Sequence, residues 1–419
     1  MTSVSIPAAQ SSGSTTAPAS KPRSLPGHVL GRARVIASRI YRTLTEKTIA
    51  ARGNAALRIG YGGLWVLFLL REIPERDIAW GPNAPWTPAM ERQYFDTTRM
   101  PNVIRDWYLA VSGLSDTDFQ LFYVAAIVAG VLFAVGWHTR ATSLLFAFVV
   151  VALENRTPML TDGGDNVLLL MCLYLCATRC GRHWSLDARR ERLRRDRIAS
   201  ATIAEPAPRP LPDWLAELAA VREQAVNLMH NGVTLVIAFQ VCVIYEVAGM
   251  YKVQGGMWQE GTALTYILQL HWFQPWPALS HLVIQQTGAM MIFGYVTVFA
   301  QVGFPFAVFS PKLKYPSLVI LTMMHLGIAV LMGLPFFSLI MLTGDMVFIP
   351  DRVWIKAGRL LGPRLPRPSL LTGRRGRPAQ GEQTGAPPAP AARPEALEPA
   401  PSAELVDPVL APAAPPTGA

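Results

Sequence analysis

One lysine in this sequence could do acid–base chemistry because of where it lies. Lys252 follows an apolar stretch of the chain and has almost no other cation near it in sequence. A lysine that is partly removed from water holds its proton less tightly, and it can then act as a base near neutral pH. The alternative is a lysine that anchors a helix by extending its ammonium group to the membrane interface. Position alone favours the anchoring interpretation.

A second group of polar residues surrounds two consecutive glycines. The stretch 161–166 reads Thr-Asp-Gly-Gly-Asp-Asn, and Glu154 ends the apolar segment before it. Asp162 and Asp165 could exchange protons or bind a cation through oxygen. They could equally cap the start of the next helix. Capping is the favoured interpretation for the loop alone, and the pattern is too short to predict a metal site.

Three polar residues fall within other apolar segments. Glu246 is a carboxylate of the kind that is costly in a membrane and is usually paired or functional. His325 lies in the middle of its segment, where a buried histidine is more often hydrogen-bonded structure than a ligand. Asp345 lies near the end of the last segment, where solvation at the interface is a sufficient explanation for it.

Helical geometry limits which of these residues can meet. Seven residues separate Tyr245 from Lys252, so the two share one face of a helix, whereas Glu246 points roughly 120° away. Any acidic partner of Lys252 is therefore expected to come from another helix. Glu154 and Asp165 are the candidates.

Apolar helices must position these side chains. The sequence has eight apolar segments, several of them shorter than the roughly 20 residues that a straight span needs. Their flanks must therefore enter the interface, or the short helices must pack inside a bundle. The segments are 55–70, 119–135, 141–153, 167–177, 233–250, 289–309, 317–332 and 336–349.

The charges between the apolar segments predict the orientation of the chain across the membrane. With the N-terminus in the cytoplasm, Lys and Arg concentrate in the inner connections, which are 178–232, 310–316 and the C-terminal arm. This is the pattern of the positive-inside rule. It predicts eight spans with both termini cytoplasmic, in the cell membrane. The loop 162–166 and Lys252 then lie on the outer side.

Composition supports the same class. The chain of 419 residues is 51% hydrophobic and only 16% charged, whereas soluble domains carry about 25% charged residues. The net charge of +10 sits beside apolar spans, so nucleic acid is not the expected partner and the lipid bilayer is. Cysteines at 172, 176 and 180 could bind a soft metal or exchange disulfides, but packing is the favoured role.

These features predict an all-α integral membrane bundle of about eight transmembrane helices with disordered cytoplasmic termini. Residues 1–50 are predicted as a disordered, basic arm in which 21–58 could form an interfacial helix. Residues 51–352 are the membrane domain, with a cytoplasmic basic loop at 178–232. Residues 353–419 are predicted as a disordered tail rich in Pro and Ala.

An ordered series of motifs resembles the HTTM (horizontally transferred transmembrane domain) family over residues 50–352. That family is related to the membrane half of vitamin K-dependent gamma-glutamyl carboxylase. The motifs are Asn155-Arg156, Asp162-Gly163-Gly164-Asp165-Asn166, Trp184-Ser185-Leu186-Asp187, Tyr245, Ala248-Gly249-Met250-Tyr251-Lys252, Trp258-Gln259-Glu260-Gly261-Thr262-Ala263, His325 and Gly333-Leu334-Pro335-Phe336-Phe337.

The resemblance implies a site at the outer face. The carboxylases use a lysine there to deprotonate a quinol, and Lys252 matches that lysine. It implies Lys252 as the proton acceptor, with Asp165 and Glu154 orienting or relaying. The cofactor would be a lipid quinol such as menaquinol.

The same resemblance assigns the quinol contacts to Trp258, Tyr245 and His325. The sequence departs from the carboxylases in two ways, since Asp165 stands where they have a histidine and no large outer domain follows the membrane region. The alternative function is therefore a non-catalytic membrane partner or maturation factor for a secreted peptide or protein. A transporter is disfavoured because no inverted repeat is visible.

Overall fold

The computed structural model describes residues 27–81, 83–98, 101–202 and 212–361. All of these lie in one compact unit that ends at Gly362. The predicted disordered stretch at 1–26 and nearly all of the predicted tail at 353–419 lie outside the described residues.

The described residues form seventeen α-helices and no β-strand, which confirms the all-α class. The helices are α1 (Gly27–Glu46), α2 (Ala51–Arg71), α3 (Arg76–Ala79), α4 (Pro88–Thr97), α5 (Asn102–Ser112), α6 (Asp116–Val135), α7 (Thr139–Glu154), α8 (Gly163–Cys176), α9 (Leu186–Thr202), α10 (Asp213–Gln254), α11 (Gly256–Gln259), α12 (Ala263–Ile267), α13 (Pro277–Ile284), α14 (Thr287–Ala307), α15 (Lys314–Leu331), α16 (Pro335–Asp345) and α17 (Asp351–Leu361).

Each of the eight apolar segments lies in a helix, but the helices fall into two classes. Within the described residues, five helices are long and apolar enough to cross a membrane, namely α2, α6, α10, α14 and α15. The other three are shorter, with 16 residues in α7, 14 in α8 and 11 in α16. They are covered by neighbours, since α7 packs on α6 and α8, and α16 packs on α2, α8 and α15.

The region 178–232, which was predicted as a loop, contains regular helix. Helix α9 and the start of α10 fall within this range. Glu191 lies 2.9 Å from Arg195 and 3.4 Å from Arg194, and such pairs one turn apart favour a helix even without an apolar face. The charges of this stretch therefore support its helical structure.

The predicted arm contains a helix inside the stretch 21–58, where a helix was predicted, and the predicted tail begins in a helix. Helix α1 occupies Gly27–Glu46 within the range 1–50, and α17 runs to Leu361 within the range 353–419. Two amides of α10 attach the end of α1 to the bundle. Asn227 Nδ2 donates to the Thr45 carbonyl at 3.0 Å, and Asn231 Nδ2 donates to the Leu44 carbonyl at 2.7 Å. Such long-range contacts are not visible in local composition.

Helix α2 passes through the middle of the core and carries a buried arginine. Arg58 has no exposed surface. Its guanidinium donates to the carbonyls of Phe133 at 2.8 Å and Ala134 at 2.5 Å, at the end of α6. It also donates to Cys180 at 3.3 Å and Trp184 at 2.6 Å, between α8 and α9. One side chain thus joins three segments that are distant in sequence.

Gly136 makes this arrangement possible. It ends α6 with φ at +69°, a backbone conformation that other residues rarely adopt. A Cβ at this position would lie 2.6 Å from Arg58 Nη1 and 2.4 Å from the Ser185 Cβ. The glycine therefore allows both the turn and the close approach of the arginine.

A second buried arginine lies near the other end of α2. Arg156, which is 5% exposed, donates to the carbonyls of Trp80 and Val111, and its guanidinium lies 4.9 Å from the Phe119 ring centroid. Burial lowers the pKa of Arg156, and the charge of Glu91 opposes that shift. The Asn155-Arg156 motif thus has a structural role, which is to hold the segment between α2 and α6.

Candidate functional site

Three helices bring a tyrosine, a histidine and an aspartate together in the core. Tyr245 of α10 donates its hydroxyl proton to Asp345 Oδ2 at 3.0 Å, and the Tyr245 hydroxyl oxygen lies 3.0 Å from His325 Nε2 of α15. All three residues are buried, since Tyr245 is 1% exposed, His325 2% and Asp345 5%. We call Tyr245, His325 and Asp345 the tyrosine triad.

The hydrogen bonds of the triad depend on which histidine nitrogen carries the proton. With Asp345 ionised, Tyr245 gives its single hydrogen to the carboxylate, and His325 Nε2 donates to the phenol oxygen. A neutral imidazole then has an acceptor at Nδ1, and this atom has no hydrogen-bond partner among the described residues. The triad therefore presents one unused acceptor on His325 and a second on Asp345 Oδ1.

Tyr61 of α2 lies beside the triad. Its side chain is fully buried, and its hydroxyl has no hydrogen-bond partner in the described part of the chain. A Cβ on Gly344 would lie 3.1 Å from that oxygen, so the tyrosine packs directly on the backbone next to Asp345. Asp345 and Tyr61 also interact electrostatically. Four polar side chains thus share a buried volume with fewer hydrogen bonds than they can make.

Lys252 lies two turns after Tyr245 on the same helix. Its Nζ donates to the Ala248 carbonyl at 3.1 Å and lies 5.4 Å from the centroid of the Trp258 ring. The ammonium is close enough to His325 for an electrostatic interaction. The structure thus brings Lys252, Trp258, Tyr245 and His325 into one region, and all four are site residues predicted from the sequence.

The short helix α11 holds Trp258 in place. Gln259 Nε2 donates to the Val253 carbonyl at 2.8 Å, and the Tyr295 hydroxyl of α14 donates to the Gln259 carbonyl at 2.8 Å. These two bonds fasten α11 to α10 and to α14. The indole is therefore fixed against the lysine by backbone contacts as well as by its own packing.

The acidic residues of the predicted site have a different role. Asp162 Oδ1 accepts from the Asp165 backbone N–H at 3.0 Å, and Asp165 Oδ2 accepts from the Asp162 N–H at 2.8 Å. This reciprocal capping box begins α8, which confirms the capping interpretation of the loop. Glu154 lies near both carboxylates and interacts with them electrostatically.

The expected pairing of Lys252 with Glu154 or Asp165 is wrong. Among the described residues no carboxylate lies within ion-pair distance of Lys252. Asp165 instead interacts with Arg71 of α2 and lines a small cavity with Phe336. Helical phase indicated correctly that Lys252 points away from Glu246, but it could not show which helix α10 faces.

Two further expectations change. Asp345 is not solvated at an interface, because it is 5% exposed and bonded to Tyr245. The cost of a carboxylate in an apolar segment could have indicated this from the sequence. Glu246 does not join the triad, and its Oε2 has no hydrogen-bond partner among the described residues.

The cysteines serve packing. Cys172 and Cys180 are buried and Cys176 is partly buried, and all three are free thiols. Cys176 Sγ donates to the carbonyls of Ser143 and Cys172 at 3.3 Å. Among the described residues, no group of three or more His, Cys, Asp or Glu side chains could hold a metal ion.

Comparison with known proteins gives no relative. No family model, no curated protein and no solved structure matches this chain.

Proposed function

We propose that this chain is an HTTM-family membrane protein that uses Lys252 as a base toward a lipid quinol such as menaquinol. The observation that carries the proposal is the grouping of Lys252, Trp258, Tyr245 and His325, which the resemblance to the carboxylases assigns to one site. Asp345 joins this site through Tyr245.

The proposal places the site at the outer face of the cell membrane, with eight spans and both termini in the cytoplasm. Five long apolar helices and three short ones that pack against them support this number of spans. On α10, 21 residues separate Asn231 from Lys252, which is about 30 Å of helix and matches the thickness of a bilayer's hydrocarbon core.

The residues present fit a lipid quinol in two respects. The first is that the Lys252 ammonium lies 5.4 Å from the centroid of the Trp258 ring. The second is that the core of the bundle contains polar atoms without hydrogen-bond partners among the described residues, such as His325 Nδ1, in otherwise apolar surroundings. The quinol would supply two electrons and two protons to one O₂, so that one oxygen atom forms the epoxide and the other leaves as water. In this proposal Lys252 accepts a proton, and Tyr245 fixes the orientation of His325.

The roles of Asp165 and Glu154 in this proposal are indirect. Asp165 is a capping residue that fixes the start of α8, and Glu154 lies beside it. Both would therefore position the outer end of the bundle, and neither is paired with Lys252.

The test compares two substitutions of one residue. Purified protein in lipid is supplied with menaquinol and O₂, and quinone epoxide is measured. Lys252→Ala and Lys252→Arg should both lose about 10²- to 10⁴-fold in rate, since arginine keeps the charge but does not act as a base near neutral pH. Lys312→Ala, which removes an exposed lysine, should keep the parent rate.

Two outcomes would contradict the proposal. Full activity of Lys252→Arg would assign Lys252 to anchoring or charge alone. No epoxide from the parent protein would remove the reaction. A stoichiometric protein partner that co-purifies with both parent and Lys252→Ala would then favour the alternative, a non-catalytic membrane partner or maturation factor.

A further inference from the structure

A large basic cleft lies at the opposite end of the bundle from Lys252. Its volume is about 1130 Å³, and it is bounded by the α6–α7 turn, the segment after α8, the first turns of α9 and the start of α2. Small-molecule sites commonly have about 300–1,000 Å³. The cleft is therefore large enough for a phosphorylated headgroup or metabolite.

Arginine dominates the lining of this cleft. Six arginines and three carboxylates line it. The arginines are Arg52, Arg140, Arg179, Arg182, Arg192 and Arg195. Burial, together with the charge of Arg52, lowers the pKa of the neighbouring His183, so the positive charge here belongs to the guanidinium groups.

The carboxylates of the cleft already have partners. Asp187 accepts from the Thr139 N–H at 2.6 Å and the Thr139 hydroxyl at 2.7 Å, which caps α7. Glu191 lies 2.9 Å from Arg195, and Glu223 lies 2.5 Å from Arg179. Six arginines against three carboxylates leave the lining with an excess of positive charge.

Three arginines of the cleft have no carboxylate partner within the described ranges, and they come from three separate segments. Arg140 is in the first turn of α7, Arg182 is between α8 and α9, and Arg192 is in α9. Guanidinium groups that line one cleft from different segments are suited to an anion that accepts several hydrogen bonds, and phosphate is the common anion of this kind.

The walls that carry these arginines are fixed by buried contacts. Arg58 holds the carbonyls of Cys180 and Trp184 on either side of Arg182. A Cβ on Gly181 would lie 2.4 Å from the Thr139 hydroxyl oxygen, so the wall with Arg182 packs directly on the start of α7. The cleft is therefore a built concavity and differs from a flat basic surface.

We propose that this cleft binds a phosphate group, carried either by an anionic lipid or by a soluble phosphate compound. Partly exposed tryptophans lie near it, since Trp137 is 39% and Trp184 is 44% exposed, and tryptophan is enriched at membrane interfaces. The proposal concerns a second site and does not depend on quinol chemistry.

The test uses two triple variants of the full chain with equal loss of charge. The cleft variant carries Arg140→Gln, Arg182→Gln and Arg192→Gln. The control variant carries Arg189→Gln, Arg197→Gln and Arg222→Gln, which are exposed arginines outside the cleft lining. Binding is measured with inorganic phosphate in detergent, and with nanodiscs of phosphatidylcholine with or without phosphatidylglycerol.

The cleft variant should bind about tenfold more weakly or worse, because it loses charge-assisted hydrogen bonds, while the control variant stays within about twofold of the parent. A response to phosphatidylglycerol alone identifies a lipid headgroup, and a response to inorganic phosphate identifies a soluble ligand. Equal losses in both triple variants, or no binding by the parent, would overturn the proposal. Unchanged thermal unfolding of the cleft variant shows that it is folded.

Discussion

Two buried polar groups in this bundle differ in how completely their hydrogen bonds are satisfied. Arg58 uses all three of its guanidinium nitrogens on backbone carbonyls. The tyrosine triad leaves His325 Nδ1 and Asp345 Oδ1 without partners among the described residues, and the hydroxyl of the neighbouring Tyr61 is in the same state. Both groups are costly to bury.

This difference in hydrogen bonding distinguishes Arg58, a structural group, from the tyrosine triad, a candidate functional group. A buried arginine whose three nitrogens all donate to carbonyls joins segments and needs no ligand to explain it. Buried polar atoms without partners are rare in proteins and require an explanation such as a ligand, a proton or a catalytic role. The comparison therefore favours the region around Tyr245 as the candidate site and a structural role for Arg58.

The largest expected effect is at Arg58. Arg58→Ala leaves four carbonyls without their donor and opens a cavity, so we expect a loss of about 3–5 kcal/mol in the free energy of unfolding and poor accumulation of the protein. Thermal unfolding in detergent measures the loss. Arg34→Ala, which removes an exposed arginine of α1, should leave the midpoint unchanged. A stable Arg58→Ala protein would contradict the structural role.

A smaller effect is expected beside the triad. In Gly344→Ala the new Cβ would meet Tyr61 Oη at 3.1 Å and Val241 at 3.4 Å, so overpacking should cost about 1–3 kcal/mol. Gly327→Ala in α15 is the matched control, because a Cβ there meets nothing within 4 Å, and it should be neutral or slightly stabilising. Equal unfolding midpoints for the two variants would mean that Tyr61 does not pack on Gly344 as described.

The smallest effect depends on pH and comes from the Arg58 end of the bundle. Burial acts to raise the pKa of Asp187, but hydrogen bonds from Thr139 and His138 outweigh it and hold the pKa below 3.8. The stabilisation by Asp187 is therefore complete above pH 3.8 and is lost as the pH falls through the lower folded-state pKa. Asp187→Ala should cost about 1 kcal/mol at pH 7, the usual value of a helix cap.

Unfolding midpoints at several pH values check this expectation. The difference between the parent and Asp187→Ala should be constant from pH 7 to about pH 4 and should shrink below that. Asp196→Ala, at an exposed position of the same helix, should show no such change. A difference that grows on acidification would contradict the assignment of Asp187 as an ionised cap.

The sequence was sufficient for the apolar helices and for part of the site. The lengths of the apolar stretches predicted all eight apolar segments. The helical repeat predicted that Tyr245 and Lys252 share one face of a helix. Helical periodicity could not indicate which helices pack against α10. Helix α10 packs chiefly on α14, whereas Glu154 belongs to α7, so the predicted pairing of Lys252 with Glu154 was wrong. Asp345 was assigned to the interface because position along a segment says nothing about depth in a bundle.

The sequence by itself determined the class of the molecule, because hydrophobicity, charge and helical periodicity are properties of neighbouring residues. It also determined that Lys252 ends an apolar helix. Only the tertiary structure decided what surrounds Lys252, since its Nζ lies 5.4 Å from the Trp258 ring centroid of α11 and is close enough to His325 of α15 for an electrostatic interaction. Likewise, the sequence shows Arg58 only as an isolated charge in an apolar stretch. In the folded chain it connects α2 to the end of α6 and to the segment after α8, because it donates to the carbonyls of Phe133, Cys180 and Trp184.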